Sequence, residues 1–321
     1  MTTTTIPKSI TAHLGAQAAA RGSLLPPEGT PFYVISPAYS RISAGVKVLH
    51  ALCHYLNLLG ERAFLVPYPA ELTGDPSWPH SLQRARVPMD SAALNTPVLT
   101  RDLAEYHHRR GLTPVCVVPE VYDDPISAPF IARYNLNYPG ALAPKYHTPH
   151  HYMTSYGRRL AESVGSPKVL YLPMVDLDFF RDEGLPRQGS CFYAGKYKDI
   201  HRGDLSVLPQ GSREILRASQ MSRETVREIL NRSEVFYCFE DTALGVEAIL
   251  CGCPTVFIPN AHFKGGAINS HELGNHGMAW GTSKKEVSRA RRTVHLLRPT
   301  VERYYRLAPE AIARFAAEVK A

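Results

Sequence analysis

The chain has no apolar run long enough to cross a bilayer, no Cys-x-x-Cys pair and no Gly-x-Gly-x-x-Gly fingerprint. The first absence argues against an integral membrane protein. The second leaves the six cysteines (Cys53, Cys116, Cys191, Cys238, Cys251 and Cys253) as reduced core thiols of a cytoplasmic protein. The third argues against a nicotinamide-dependent dehydrogenase. Acid is missing before Glu28, and the Thr-, Ala- and Ser-rich start lacks a secretory apolar core, so residues 1–28 are expected to be loosely ordered. Internal repeats, low-complexity blocks and nucleic-acid motifs are also absent.

What is there is an ordinary globular composition, 44% hydrophobic and 20% charged over 321 residues, enough for one large or two medium domains. The net charge is +7 and leans towards the second half: residues 1–180 carry 15 basic and 13 acidic side chains, residues 181–321 carry 21 and 16. Such a surface suits phosphate-rich ligands, or peripheral attachment to the anionic inner face of a membrane. It is too mild to argue for nucleic acid.

The most informative stretch is 235–258. Five mostly apolar residues, 235–239, read as a buried parallel strand. Thr242 is the expected N-cap of a short helix, Gly252 and Pro254 stop it, and 255–258 returns to the sheet. Glu240 and Glu247 bracket the helix start, at the carboxyl ends of the strands where open α/β sheets bind ligands. A carboxylate there can hold a ribose diol by accepting two hydroxyl hydrogen bonds. The helix start suits a diphosphate. A buried βαβ unit whose acids merely complement the helix dipole is the plain alternative.

Glu247-Ala248-Ile249-Leu250-Cys251-Gly252-Cys253-Pro254 resembles the donor-binding signature of GT-B glycosyltransferases of the two-glutamate type. Six residues separate Glu240 from Glu247, one fewer than in the usual form. The resemblance extends to Pro173, Val175, Asp176 and Phe180, which match a segment closing the first domain, so Asp176 is read as structural. Asp176-Leu177-Asp178 is accordingly not taken as a metal-binding pair. It extends also to Gly195-Lys196, where the family usually has Gly-Arg meeting the diphosphate.

The implied fold is α/β, GT-B, with two Rossmann-like domains whose parallel sheets face an interdomain cleft. The expected domains are 29–182, an acceptor domain completed by a C-terminal helix over 302–321, and 188–300, the nucleotide-sugar donor domain, with a polar linker over 181–189. The implied activity moves a sugar from a nucleotide-diphosphate sugar to the hydroxyl of a glycan or lipid-linked acceptor. Bacterial enzymes of surface polysaccharide or lipopolysaccharide synthesis are similar. No cofactor and no metal are expected, and the acid pair implies retention of configuration. An epimerase or phosphorylase on the same fold, or a non-catalytic partner subunit, remains open.

Within that frame Glu247 would hold the ribose and Glu240 the sugar hydroxyls or ribose. Lys196, Lys198, Arg202 and Thr242 would meet the diphosphate. Asn260 and Lys264 belong to a glycine-containing loop, 259–277, expected to act as a mobile lid or to be an ordinary flexible loop. In the first half, 31–35 reads as a strand, the loop 36–45 with Arg41, Ser43 and Gly45 faces the cleft, and apolar helical spacing follows from Val46 to Leu59. Glu120, just past a strand at 115–118, is the candidate base if the reaction inverts. A helix-like segment is expected near 131–136 and a strand near 169–172. The His-rich tract 146–152 reads as a polar loop, because metal sites need converging ligands. Ser222 and Ser283 are expected to cap two later helices.

Overall fold

The computed structural model describes residues 29–40, 43–67, 94–124, 126, 128–146, 151–216 and 220–321. Arg41, the expected loose start, most of the His-rich tract and residues 68–93 lie outside these residues. The chain divides into two compact units, one ending at Met174 and taking back Tyr304–Ala321, the other Val175–Arg303.

The first unit is built on β1 (Phe32–Ser36), α1 (Ala44–Leu58), β2 (Ala63–Pro67), α2 (Arg101–Arg109), β3 (Val115–Pro119), β4 (Ile131–Asn135), β5 (Tyr152–Ser155) and α3 (Arg158–Val164). Its five strands are all parallel, in the order β2-β1-β3-β4-β5. The second unit has β6 (Ser190–Tyr193), α4 (Gly195–Asp199), β7 (Arg213–Glu214), α5 (Arg223–Arg232), β8 (Val235–Cys238), α6 (Leu244–Leu250), β9 (Thr255–Phe257), α7 (Ser270–Leu273), β10 (Met278–Trp280) and α8 (Lys284–Thr293). Its strands are also all parallel, in the order β10-β9-β8-β6-β7.

Numbered from its own first strand, each sheet therefore runs 2-1-3-4-5. This is a doubly wound Rossmann-like order, with its switch point between β1 and β3 in one unit and between β6 and β8 in the other. The expected α/β architecture of two Rossmann-like parallel sheets is what the chain forms. The last helix, α9 (Leu297–Lys320), supplies Ala308, Ile312, Phe315, Ala316 and Val319 to the core of the first unit, against Phe32, Leu52 and Leu56.

Three expectations need correction. Residues 131–135 form a strand, β4, not a helix. The run is too short to show a period, and every one of its residues is buried between β3 and β5. The segment near 169–172 makes one bridge, from Val169 to Ser155, and does not extend into a strand. Residues 181–189, expected as a linker, are stitched into the second unit. Glu183 N–H donates to Asn231 at 2.8 Å, Gln188 N–H donates to Arg232, and the Arg187 guanidinium reaches the carbonyls of Leu230, Ser233 and Cys251.

The capping residues behave as expected. Ser222 accepts from Thr225 N–H at 3.2 Å and Ser283 from Glu286 N–H at 3.3 Å. All six cysteines are free and buried.

Two buried histidines of the first unit make stability depend on acid. His107 lies with Nδ1 2.6 Å from the Tyr33 hydroxyl and Nε2 3.2 Å from the Arg62 guanidinium. A guanidinium only donates, so Nε2 accepts and the neutral ring keeps its proton on Nδ1. His54 Nδ1 accepts from Asn95 N–H at 2.8 Å. Burial pushes both rings down to about 4, with Arg62 adding to the effect at His107. The unfolded chain takes up these protons from about pH 6.5 downward. The contribution is therefore intact above that value and is lost as pH falls towards 4. We expect a loss on the order of 1–2 kcal/mol per ring by pH 5, read as a lower urea midpoint than at pH 7. Equal midpoints at the two pH values would contradict it.

Candidate functional site

The switch point of the second unit is where its strands present chemistry. Phe239 N–H donates to Tyr193 O across the ends of β8 and β6. This brings Glu240 level with the start of α4, where Lys196 N–H donates to Glu240 Oε2 at 3.2 Å. Gly195 permits the approach. It has φ +39°, and a Cβ there would stand 2.3 Å from Glu240 Oε1 and 2.8 Å from the Tyr193 ring. Gly195, Lys196 and Glu240, distant in sequence, thus form one junction.

A third segment closes on this junction from the end of β9. Asn260 donates its amide to Phe239 O at 2.8 Å and Ile258 O at 3.1 Å, and accepts from His262 N–H. Asp241 accepts from Ile268 N–H at 2.6 Å. The His262 ring stacks on His201, with centroids 3.5 Å apart and planes at 10°. Phe263 packs edge-on against Phe257 and Trp280. The loop proposed as a lid is thus held by side-chain contacts at both of its neighbours. The amide of Asn260 is spent on backbone, which makes it a positioning group.

The basic residues divide. Lys198 pairs with Glu214 through both carboxylate oxygens at 2.7 Å. That partner lies on β7, the strand flanking β6, and engages the charge expected to face a diphosphate. Arg202 has φ +48°. A non-glycine residue in that region carries strain on the order of 1–3 kcal/mol, a feature that clusters at ligand sites. Among the described residues Lys196 and Lys264 make no ion pair and stay available to a ligand.

Thr242 is one residue away from its expected capping position. The N-cap of α6 is Ala243, and the Thr242 hydroxyl accepts from Leu244 N–H at 3.4 Å. Helix α6 is locked onto the sheet through Gly245, which no motif or spacing in the sequence marks. A Cβ on Gly245 would meet the Phe257 ring at 2.8 Å, and Thr255 donates its hydroxyl to Gly245 O at 2.7 Å. Glu247, two residues on, therefore lies on the side of α6 turned away from β9 and is half-buried. Gly252 ends the helix with φ +80°. Asp176, read as structural, accepts from Phe179 N–H at 3.0 Å and faces Arg223 at 3.5 Å.

The first unit gathers a second set of groups at its own switch point. Glu120 follows β3 directly and is buried. It accepts from Leu136 N–H at 2.8 Å, and burial raises its pKa against the lowering effect of that bond and of Arg133. Ser43 is the N-cap of α1, accepting from Val46 N–H at 3.4 Å, and Gly45 lies inside the first turn, so the expected cleft loop is shorter than 36–45. Two residues that apolar spacing could not flag interrupt the buried face of α1. Lys47 donates to Met174 O at 3.3 Å. His50 lies 3.0 Å from Pro37 O through Nε2, while its Nδ1 is buried with no hydrogen-bond partner among the described residues. Burial lowers the His50 pKa, so the ring is neutral and Nδ1 is a free acceptor.

No family model matches the chain, and no curated protein does. Among solved structures it is similar in outline to the spinosyn rhamnosyltransferase SpnG complexed with spinosyn aglycone, at 11% identity over 88% of this chain and 96% of that one, with a TM-score of 0.35. An alpha-glucosyltransferase in complex with UDP and a DNA 13-mer gives 12% identity, 88% and 95% coverage and 0.32. The calicheamicin glycosyltransferase CalG4 gives 13%, 90% and 97%, and 0.31. Scores this low carry no functional argument, and the Rossmann-like assignment rests on strand order alone.

Proposed function

We propose that the chain is a metal-independent GT-B glycosyltransferase whose nucleotide-sugar donor binds at the β6–β8 switch point. The observation that carries this reading is the junction of Glu240 with the Gly195–Lys196 backbone. A carboxylate and close-packed main chain meet there at the carboxyl ends of two parallel strands, where doubly wound sheets take nucleotides. In this reading Glu240 holds sugar hydroxyls and Glu247 the ribose. Lys196 and Arg202, with Lys264 at the loop, neutralise the departing diphosphate. Charge stabilisation of this kind is commonly the largest catalytic contribution, with one lost donor costing about 3 kcal/mol. The acceptor hydroxyl belongs to a cell-envelope glycan or lipid-linked sugar, bound by the first unit near Ser43. Glu120 or the free Nδ1 of His50 serves as base if configuration inverts. The acid pair favours retention.

Mass spectrometry of transfer from a panel of nucleotide sugars onto a cell-envelope extract tests the reading. One donor is expected to give an acceptor product heavier by one sugar. Glu247→Ala is expected to lower nucleotide affinity at least ten-fold, with the fold intact by circular dichroism. Donor consumed without any acceptor would replace the transferase with an epimerase.

A further inference from the structure

Residues 284–306 hold eight lysines and arginines against two glutamates, and so account for +6 of the chain's +7. Both acids are already engaged, Glu286 with Arg289 at 2.8 Å and Glu302 with Arg298 at 3.4 Å. Arg289 is further tied to the carbonyls of Asn275 and Met278. The remaining charge of α8 is arranged on one side. Lys284, Lys285, Ser288, Arg291 and Arg292 fall within an arc of roughly 120° at 100° per residue. All five are exposed, whereas Ala290, on the opposite side, is buried. Among the described residues none of these four cations has an ion-pair partner; Arg292 donates only to the Ser288 hydroxyl at 2.6 Å. Glu234 shares a cavity of about 410 Å³ with Arg291 and His295 beside the stripe.

We propose that this stripe docks the protein on an anionic lipid surface. Charge complementarity requires a polyanion, and two features select lipid. The stripe carries no aromatic ring on which bases could stack, as single-stranded nucleic acid sites do. At its far end Leu296 is 38% exposed, an apolar side chain placed to enter the headgroup layer beside the cations. The stripe runs along α8, which packs on the edge strand β10, and is separate from the β6–β8 junction. A docked stripe therefore leaves the donor site of the second unit unoccupied. The inference deepens the proposed reading, which needs an envelope acceptor. Vesicle binding involves no nucleotide, so either can fail without the other.

The test is co-sedimentation of the full chain with vesicles of equal parts phosphatidylglycerol and phosphatidylcholine, against phosphatidylcholine alone. Binding is expected only to the anionic vesicles and is expected to fade as salt rises. Combining Lys284→Gln, Lys285→Gln, Arg291→Gln and Arg292→Gln should weaken it several hundred-fold, at about five-fold per cation. A control combining Arg109→Gln, Lys145→Gln, Arg158→Gln and Arg232→Gln, equal in charge, should bind nearly as the parent does. Equal loss in both variants would mean diffuse charge and overturn the proposal. So would no binding by the parent at low salt, or tighter binding of duplex DNA than of vesicles at equal phosphate.

Discussion

Gly195→Ala is expected to weaken nucleotide binding by about ten- to a hundred-fold while leaving a folded protein. The new methyl would stand 2.3 Å from Glu240 Oε1 and 2.8 Å from the Tyr193 ring, at a backbone φ of +39°. The left-handed backbone alone costs on the order of 1–2 kcal/mol with a side chain present. The carboxylate is the part free to give way, and moving it breaks its hydrogen bond from Lys196 N–H. A bond to a charged acceptor is worth about 1.5–3 kcal/mol. The change therefore acts on the fold modestly and on the ligand site directly. A double-mutant cycle with Glu240→Ala separates the two, because removing the carboxylate relieves the clash. The affinity losses are expected to be strongly less than additive. Additive losses in titration calorimetry would mean that Gly195 and Glu240 act independently, contrary to the geometry.

Arg133→Met is expected to be the most destabilising single change in the first unit, by about 3–5 kcal/mol. Arg133 is buried at the middle of β4 and donates to Pro119 O at 3.0 Å, to Tyr122 O and to Asp123 O at 3.2 Å. Its charge also faces Asp123, Asp124 and Glu120. Methionine fills the space but leaves three carbonyls without their donor and the neighbouring acids without their cation. A thermal melt reads the loss. The Glu120 carboxyl, which Arg133 pulls down against burial, should titrate higher still in the variant. A melting temperature unchanged from the parent would contradict this account of β4.

The same arginine shows why part of the fold could not be read in advance. The run 131–135 has only five residues, and Arg133 in its centre reads as solvent-facing to any pattern of hydrophobicity. Its burial depends on carbonyls presented by the turn after β3, which sequence does not reveal. The unit β8–α6–β9 was legible because each element is bounded by its own punctuation: an acidic turn, a glycine stop and a proline. Even there the N-cap moved from Thr242 to Ala243, since a four-residue turn can start a helix in either register.

The candidate site divides along similar lines. Glu240 was visible as an acid at a strand end, but its partner at Gly195–Lys196 is supplied by strand order. Lys198 looked equivalent to Lys196 until β7 brought Glu214 beside it. Lys47 and His50 were hidden because spacing along α1 marks only its apolar positions. Gly245 looked like any helical glycine until Phe257 was placed against it.

The measurement that bears most directly on the donor site is titration calorimetry of the full chain with the nucleoside diphosphates of each common base. One base is expected to bind, with affinity lowered about ten-fold or more in both Glu247→Ala and Gly195→Ala. Heat from none of them, with a folded protein in the cell, would contradict a nucleotide-sugar site at the β6–β8 switch point.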